Sequence, residues 1–332
     1  MQTLGDIGEV AAIERIAARL PGRQDVVVGP GDDCAVVRLA HDTNEDLVLT
    51  PDPVVEGIHF DADAAPESIG HKAIGRVLSD IAAMGGTPFC YFVSLSVPSN
   101  LSLNFIKELY RGMHQRAKEF NTVLLGGDTV SSLKDIVISI TLIGKAKKKS
   151  VIYRNSAKKG DLVYVTGYPG ESALGLLMLK KDKESFKRRS TVKKHLDPYP
   201  RIEIGKTLAE KNLANSMIDI SDGLFADLGH ITCQSKKGAR IYLSQIPLSN
   251  TYKKECLKFS KDIYNPALFG GEDYELLFTS AARNKTKIKN LSKKLGIPIT
   301  CIGEITEAPK EIIFLDSSNK KMKIKNSGYR HF

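Results

Sequence analysis

Carboxylates recur beside glycines and at strand ends along this chain. They stand at Asp32-Asp33 in GPGDDCAVV, Asp52 in LTPDPVVEGIHF, Asp80 in VLSDIAAMGG and Asp128 in LLGGDTVSS. Asp219 and Asp222 follow in MIDISDGLFADL, and Glu272-Asp273 in FGGEDYELLF. A glycine turn commonly takes one aspartate, whose side chain bonds the nearby backbone. A second, adjacent aspartate adds like-charge repulsion that the turn does not require. Taken singly, each reads equally well as a solvated turn or, for Ser221-Asp222 ahead of Gly-Leu-Phe, as a helix N-cap. Six such stretches in one chain are harder to assign to capping. Convergence without cations would be costly. Aspartates with hydroxyl neighbours at Ser79, Thr129 and Ser221 are hard oxygen donors that suit Mg²⁺, and they lack the thiolate and imidazole partners of zinc or copper. The pattern points to a multi-metal site that receives a polyphosphate.

The common phosphate-binding devices are missing. Gly205-Lys206-Thr207 looks like the end of a P-loop, but Pro200 stands where its first glycine belongs and the segment reads as helix interior. There is no G-x-G-x-x-G, H-R-D or D-F-G. Phosphate handling is left to metals, to loop amides such as Gly126-Gly127 and Gly270-Gly271, and to Arg154. Seven histidines without H-E-x-x-H or H-x3-H spacing argue against zinc, and five cysteines without C-x-x-C fit reduced thiols in a cytosol.

The elements that must hold these groups follow from apolar periodicity. Helices are expected over 4–20, 68–84 (stopped by Gly85-Gly86), 103–120 and 200–211, and from Ser172 onward. Strands are expected over 26–28, 34–39, 47–49, 89–97, 122–125, 135–143, 162–166, 216–220, 240–243, 276–279, 300–302 and 312–315. Without strict βαβ alternation, the fold class is α+β (mixed α/β) rather than doubly wound. The chain of 332 residues, 42% hydrophobic and 26% charged, suffices for two domains. The net charge of +10 divides unevenly. Residues 1–144 carry 11 Lys and Arg against 19 Asp and Glu, and the remainder carries 37 against 19. That asymmetry sets one domain at 1–144 and another at 145–332, with a basic linker over 144–160. The lysine runs lack interleaved aromatics, so solvated faces are the better reading than a nucleic-acid footprint. No apolar run approaches the roughly 18 residues of a membrane span, and the N-terminus has no signal-peptide pattern. A cytoplasmic protein away from membranes is expected.

Eight stretches now carry a resemblance: GDDCAVV, EGIHF, LSDIAAMGG, GGDTVSS, RNSAKKGDLVYVTG, MIDISDGLFADL, GGEDYELLFT and the closing GYRHF. Together, collinear over nearly the whole chain, they resemble the thiamine-monophosphate kinases. SDGL is shared with the wider aminoimidazole ribonucleotide synthetase-like superfamily. The resemblance implies a two-domain fold of that superfamily, a homodimer through the N-terminal domains, and a C-terminal domain that completes the active site. It implies ATP as phosphoryl donor, several Mg²⁺ ions, and thiamine monophosphate as the substrate converted to thiamine diphosphate. Carried over by motif, Asp33, Thr50, Asp52, Asp80, Asp128, Asp219 and Asp222 hold metals. Tyr110, Gly127, Asp128, Arg154 and Ser221 contact ATP, while His59, Glu272 and Tyr329 contact the thiamine moiety. Asp222, Asp128 and Arg154 carry the chemistry. Two positions depart from the family pattern: Pro51 replaces a hydroxyl residue, and Val77 replaces an asparagine. The nucleophile would be a phosphate with a second pKa near ~6, already largely anionic at neutral pH, so no general base is expected and Asp222 reads as a metal ligand. The alternatives are another ATP-dependent synthetase of the superfamily and, more weakly, a basic nucleic-acid-binding protein. The related selenium enzyme would want a Cys or Lys nucleophile near the N-terminus, and MQTLGDIGEVAAIERI has none.

Overall fold

The computed structural model describes residues 4–18, 23–39, 44–318 and 320–322. Six strands make the first sheet: β1 (Val26–Val28), β2 (Ala35–Val37), β3 (Glu45–Val55), β4 (Thr87–Pro98), β5 (Val123–Ser132) and β6 (Val137–Lys147). Their order is β1-β2-β3-β6-β4-β5, antiparallel except for the β4–β5 pair, which the helix Leu103–Glu119 connects. The second sheet takes β7 (Leu162–Thr166), β8 (Ser216–Asp219), β9 (Gly238–Tyr242), β10 (Leu276–Ser280), β11 (Ile299–Thr306) and β12 (Ile312–Leu315) in the order β12-β9-β11-β7-β10-β8. No helix among the described residues is long and apolar enough to cross a membrane.

The two units share apolar packing. Along β7, β8 and β10 the side chains alternate with period two. Tyr164, Met217, Leu276 and Phe278 join a cluster with Val77, Ile81 and Met84 of the first unit, whereas Val163, Val165, Ile218 and Leu277 face a cluster internal to the second. Those strands are buried on both faces and lock the units together. The helix Pro66–Ala83, started by proline in its first turn, lies at the centre of that contact with most of its residues buried. The second unit's helix Ile202–Glu210 crosses it at Gly205, where a Cβ would stand 2.0 Å from the carbonyl oxygen of Ala82. The glycine of the apparent P-loop therefore serves close helix packing, as its helix-interior reading implies.

Several boundaries move for physical reasons. The opening helix breaks into Leu4–Ile7 and Glu9–Ala17 at Gly8, whose φ of 74° is left-handed. β3 runs on to Val55 through Pro51 and Pro53. Its β2 partner stops opposite Leu49, so both prolines fall where only β6 needs the strand's N–H groups. The aspartates at 52 and 128 consequently lie within strands rather than at turns. Gly126-Gly127-Asp128 pairs with Phe92-Val93-Ser94, and a Cβ at Gly127 would stand 1.9 Å from the Val93 oxygen. β6 also continues through Lys147, beyond the expected start of the linker at 144.

Candidate active site

Between the two units lies a cavity of about 660 Å³, lined at one end by carboxylates and at the other by apolar side chains around Glu272. Alternation along β3 puts Thr50 and Asp52 on one face. Four-residue spacing on the helix Pro66–Ala83 puts Lys72, Arg76 and Asp80 on one side. Asp219 ends β8, and the β1–β2 hairpin turn delivers Asp33.

At the acidic end, Asp33, Asp80 and Asp219 each offer an oxygen within 4.8 Å of the others. Thr50 Oγ1 donates to Asp80 (2.6 Å), and Ser79 Oγ donates to Asp219 across the domain border (2.6 Å). The Arg154 guanidinium holds both oxygens of Asp33, at 3.1 and 2.7 Å. The paired aspartates of the turn divide their tasks. Asp32 accepts from the backbone N–H groups of Asp33 (3.0 Å) and Arg154 (3.1 Å), fixing the turn, while Asp33 lines the cavity. Burial together with Asp33 pushes the Asp32 carboxyl up to about 7. Burial and the Asp33 charge likewise raise Asp219 to about 7. Asp80 rises well above the carboxylate range through burial and then Asp219. Asp80 and Asp219 receive hydroxyl donors, which do not cancel their charge, and protons favour them in the absence of a cation.

At the other end Glu272 and Asp52 each have cationic partners. Lys72, 1% exposed, donates to Glu272 Oε2 (2.9 Å) and to the backbone oxygen of His59 (2.8 Å). Arg76 grips Asp52 with two bonds of 2.7 and 3.0 Å and reaches Glu272 Oε1 at 3.3 Å. Burial pushes Glu272 up, but Lys72, His195 and Arg76 outweigh it and hold the carboxyl below its usual value. His59 accepts from the Val55 N–H through Nδ1 (3.0 Å), which leaves its proton on Nε2. Burial and Arg76 lower its pKa to about 4. Burial and Lys72 do the same to His195. Ile58, Leu176, Leu177 and Phe269 form the apolar wall.

The loop that supplies Glu272 gives each successive residue a different duty. Glu272 and Tyr274 adopt left-handed backbone, φ 63° and 51°, and both line the cavity. Asp273, between them, turns the other way to accept from the N–H groups of Gly170 (2.5 Å) and Ser172 (3.0 Å) at the start of the helix Glu171–Lys181. Glu275 accepts from Thr166 Oγ1 (2.6 Å) and pairs with Arg201.

Of the residues picked out by motif, Asp33, Thr50, Asp52, His59, Asp80, Asp219, Ser221, Asp222 and Glu272 line this one cavity, and Arg154 stands directly behind Asp33. The N-cap of the helix Leu224–Ser235 is Gly223, one residue after Ser221-Asp222. Asp227 accepts from the Asp222 and Gly223 N–H groups (3.2 and 3.1 Å), and Ser221 and Asp222 line the cavity. Tyr110, Gly127 and Asp128 are not among the lining residues. Tyr110 is half-buried on the helix Leu103–Glu119, and Gly127 and Asp128 are exposed on β5, the edge strand. Tyr329 lies outside the described residues. Pro51 also lines the cavity, while Val77 is fully buried in the core. The motifs overlooked Lys72, Arg76, Tyr274 and His195. For the first two a signal existed: Lys72, Arg76 and Asp80 recur every fourth residue through an otherwise apolar helix.

Comparison with known proteins places the chain among characterised relatives. Residues 31–146 match the family model "AIR synthase related protein, N-terminal domain", and residues 158–316 match its C-terminal counterpart. A thiamine-monophosphate kinase of Buchnera aphidicola subsp. Acyrthosiphon pisum is 38% identical over 92% of this chain and 93% of its own length. The Bacillus subtilis protein of that name is 36% identical over 98% and 99%. A solved structure described as AaThiL complexed with AMPPCP and TMP superposes with a TM-score of 0.86 at 32% identity, covering 100% of this chain and 99% of that one.

Proposed function

The chain belongs to the thiamine-monophosphate kinase family, and from that premise we propose that its cavity receives phosphates at the acidic end and thiamine rings at the Glu272 end. Its reaction is the ATP-dependent phosphorylation of thiamine monophosphate. The observation that carries the assignment of ends is the contrast between three converging carboxylates and a compensated Glu272 beside an apolar wall. An ionised Glu272 attracts the thiazolium cation, and the apolar wall accepts the ring faces.

The acidic end fits magnesium. Its donors are all oxygen, they converge, and their raised proton affinity reports charge that the protein leaves unbalanced. Asp33, Thr50, Asp52, Asp80, Asp219 and Asp222 would hold the ions, with Pro51 restricted to its backbone oxygen. When bound, magnesium supplies the positive charge that lets two phosphate anions approach. The chain's own residues do the rest. Arg154 fixes Asp33, Thr50 and Ser79 aim Asp80 and Asp219, and Arg76 sets Asp52 against Glu272. In-line transfer to an already ionised phosphate needs positioning and charge rather than a base. Both histidines that line or back the cavity, His59 and His195, are held neutral beside Glu272, away from the carboxylate triad.

The reading extends to a homodimer in the cytoplasm, formed through the first sheet. Val123, Leu125 and Val130 of β5 and the adjoining Leu133 are each more than half exposed, and Phe89 and Phe92 of β4 are exposed beside them. A second copy along this edge would cover that row and enclose Gly127 and Asp128 as ATP and metal contacts. Incubation with Mg-ATP and thiamine monophosphate, with chromatographic detection of thiamine diphosphate, tests the reaction. Absence of product would reject it. Sedimentation of the purified protein tests the dimer, which a monomer at micromolar concentration would exclude.

A further inference from the structure

The cavity motifs alone do not account for Lys72. It is 1% exposed on an apolar helix, where an ammonium is costly unless paired. Its two hydrogen bonds go to two different stretches of chain, the His59 carbonyl (2.8 Å) and Glu272 Oε2 (2.9 Å), and both of those residues line the cavity while Lys72 does not. Arg76 also approaches Glu272, but at 3.3 Å and with its better bonds, 2.7 and 3.0 Å, committed to Asp52. His195 Nδ1 stands 3.5 Å from Glu272 and lies nearer Ser172 Oγ, at 3.1 Å. Lys72 is therefore the principal partner of Glu272. Glu272 also sits on left-handed backbone, φ 63°, in a loop whose conformation needs outside support.

We propose that Lys72 is a positioning residue for substrate selection: buried behind the cavity, it fixes the Glu272 carboxylate and the His59 backbone relative to each other, so that the organic cation of the substrate meets a preset anion. This rests on the reading of the Glu272 end as the ring-binding end. The ammonium ties residue 59 of the first unit to residue 272 of the second, so the relative placement of these two lining residues is held in part by a side chain that does not itself line the cavity. Arg76 joins the same carboxylate to the phosphate end through Asp52, which makes Lys72 the member of the pair that serves the rings alone.

The test compares Lys72→Met, Glu272→Gln and the double variant by steady-state kinetics, and by calorimetric titration with thiamine monophosphate and, separately, Mg-ATP. Lys72→Met is expected to raise KM and Kd for thiamine monophosphate roughly 10- to 100-fold while KM for ATP stays within about twofold. The double variant is expected to bind thiamine monophosphate within about threefold of Glu272→Gln alone, since the part of the Lys72 effect that passes through Glu272 is lost with that carboxylate and only the His59 contact remains. Equal losses for both ligands, or a double variant far weaker than Glu272→Gln, would overturn the proposal. If Lys72→Met fails to fold, the comparison of the double variant with Glu272→Gln decides alone, because removing both charges leaves none stranded. A wild-type protein that binds no thiamine monophosphate refutes the ring-site reading. A wild type that binds it beside an unaffected Lys72→Met refutes only the role of Lys72.

Discussion

The two ends of the cavity solve the problem of buried charge in opposite ways. At the Glu272 end, Lys72 and Arg76 answer Glu272, and Arg76 also holds Asp52 at the border of the two ends, with hydrogen bonds of 2.7 to 3.3 Å, so each of these carboxylates is paired within the protein. At the acidic end, Arg154 bonds Asp33 directly and reaches Asp219 only through its field, the hydrogen-bond donors to Asp80 and Asp219 are hydroxyls, and burial drives the proton affinity of both upward. The difference teaches which partner each end awaits. On the function proposed above, the paired Glu272 is the partner of an organic cation, and the acidic cluster would take cations that arrive with the phosphates.

That contrast breaks most visibly at the acidic end. Asp219→Asn is expected to cut kcat/KM on the order of 10²- to 10³-fold at saturating Mg²⁺, by analogy with the loss of a transition-state electrostatic contact. In metal-free protein the same change should raise the melting temperature, because it removes a buried carboxylate that its neighbours disfavour. A stabilised but inactive variant supports the contrast; a destabilised one would mean that Asp219 is held for structure.

Arg76→Met is the next largest test, because Arg76 belongs to both ends. Losing it should raise the Mg²⁺ requirement and the KM for thiamine monophosphate together, each by roughly tenfold, whereas Lys72→Met moves only the second. Steady-state kinetics at varied Mg²⁺ separate the two. If the Arg76 variant shifts a single constant, the ends are not joined through Asp52.

The smallest effect is a pH dependence at the compensated end. Burial lowers the His195 pKa to about 4 from an ordinary value of 6.5. The unfolded chain therefore takes up this proton before the folded one does. The stabilising contribution of neutral His195 is present above pH 6.5 and is lost as pH falls from there towards 4. His195→Asn should reduce the slope of that part of the stability profile, measured by denaturant unfolding between pH 7 and 4.5, with His59, also lowered to about 4, supplying the remainder. An unchanged slope would show that His195 charges in the folded protein.

How much of this was legible beforehand follows from what each feature depends on. The carboxylates of GDDCAVV, LSDIAAMGG and MIDISDGL announced themselves because unlike neighbours, apolar strands and glycines, surround them. The conformation at Asp52 and Asp128 was not legible. Pro51 and Pro53 read as breakers until β2 is seen to stop opposite Leu49, and Gly126-Gly127 reads as a turn until its closeness to Val93 is seen. Propensity is local, and here pairing across the sheet overrode it. Lys72 and Arg76 were hidden for another reason. A cation on a helix face reads as solvated unless something shows that the whole helix is buried, and that depends on the second unit docking through Gly205 and Met217. Tyr110 and Asp128 were chosen by motif, yet neither is among the residues that line the cavity.

The claim on which the rest depends is that the acidic end is incomplete without cations. Calorimetric titration of ATP into the protein, once with excess Mg²⁺ and once with excess chelator, tests it most directly. Binding should appear with Mg²⁺ and vanish with chelator, because uncompensated carboxylates repel phosphate. An ATP affinity that is unchanged in chelator would contradict the claim.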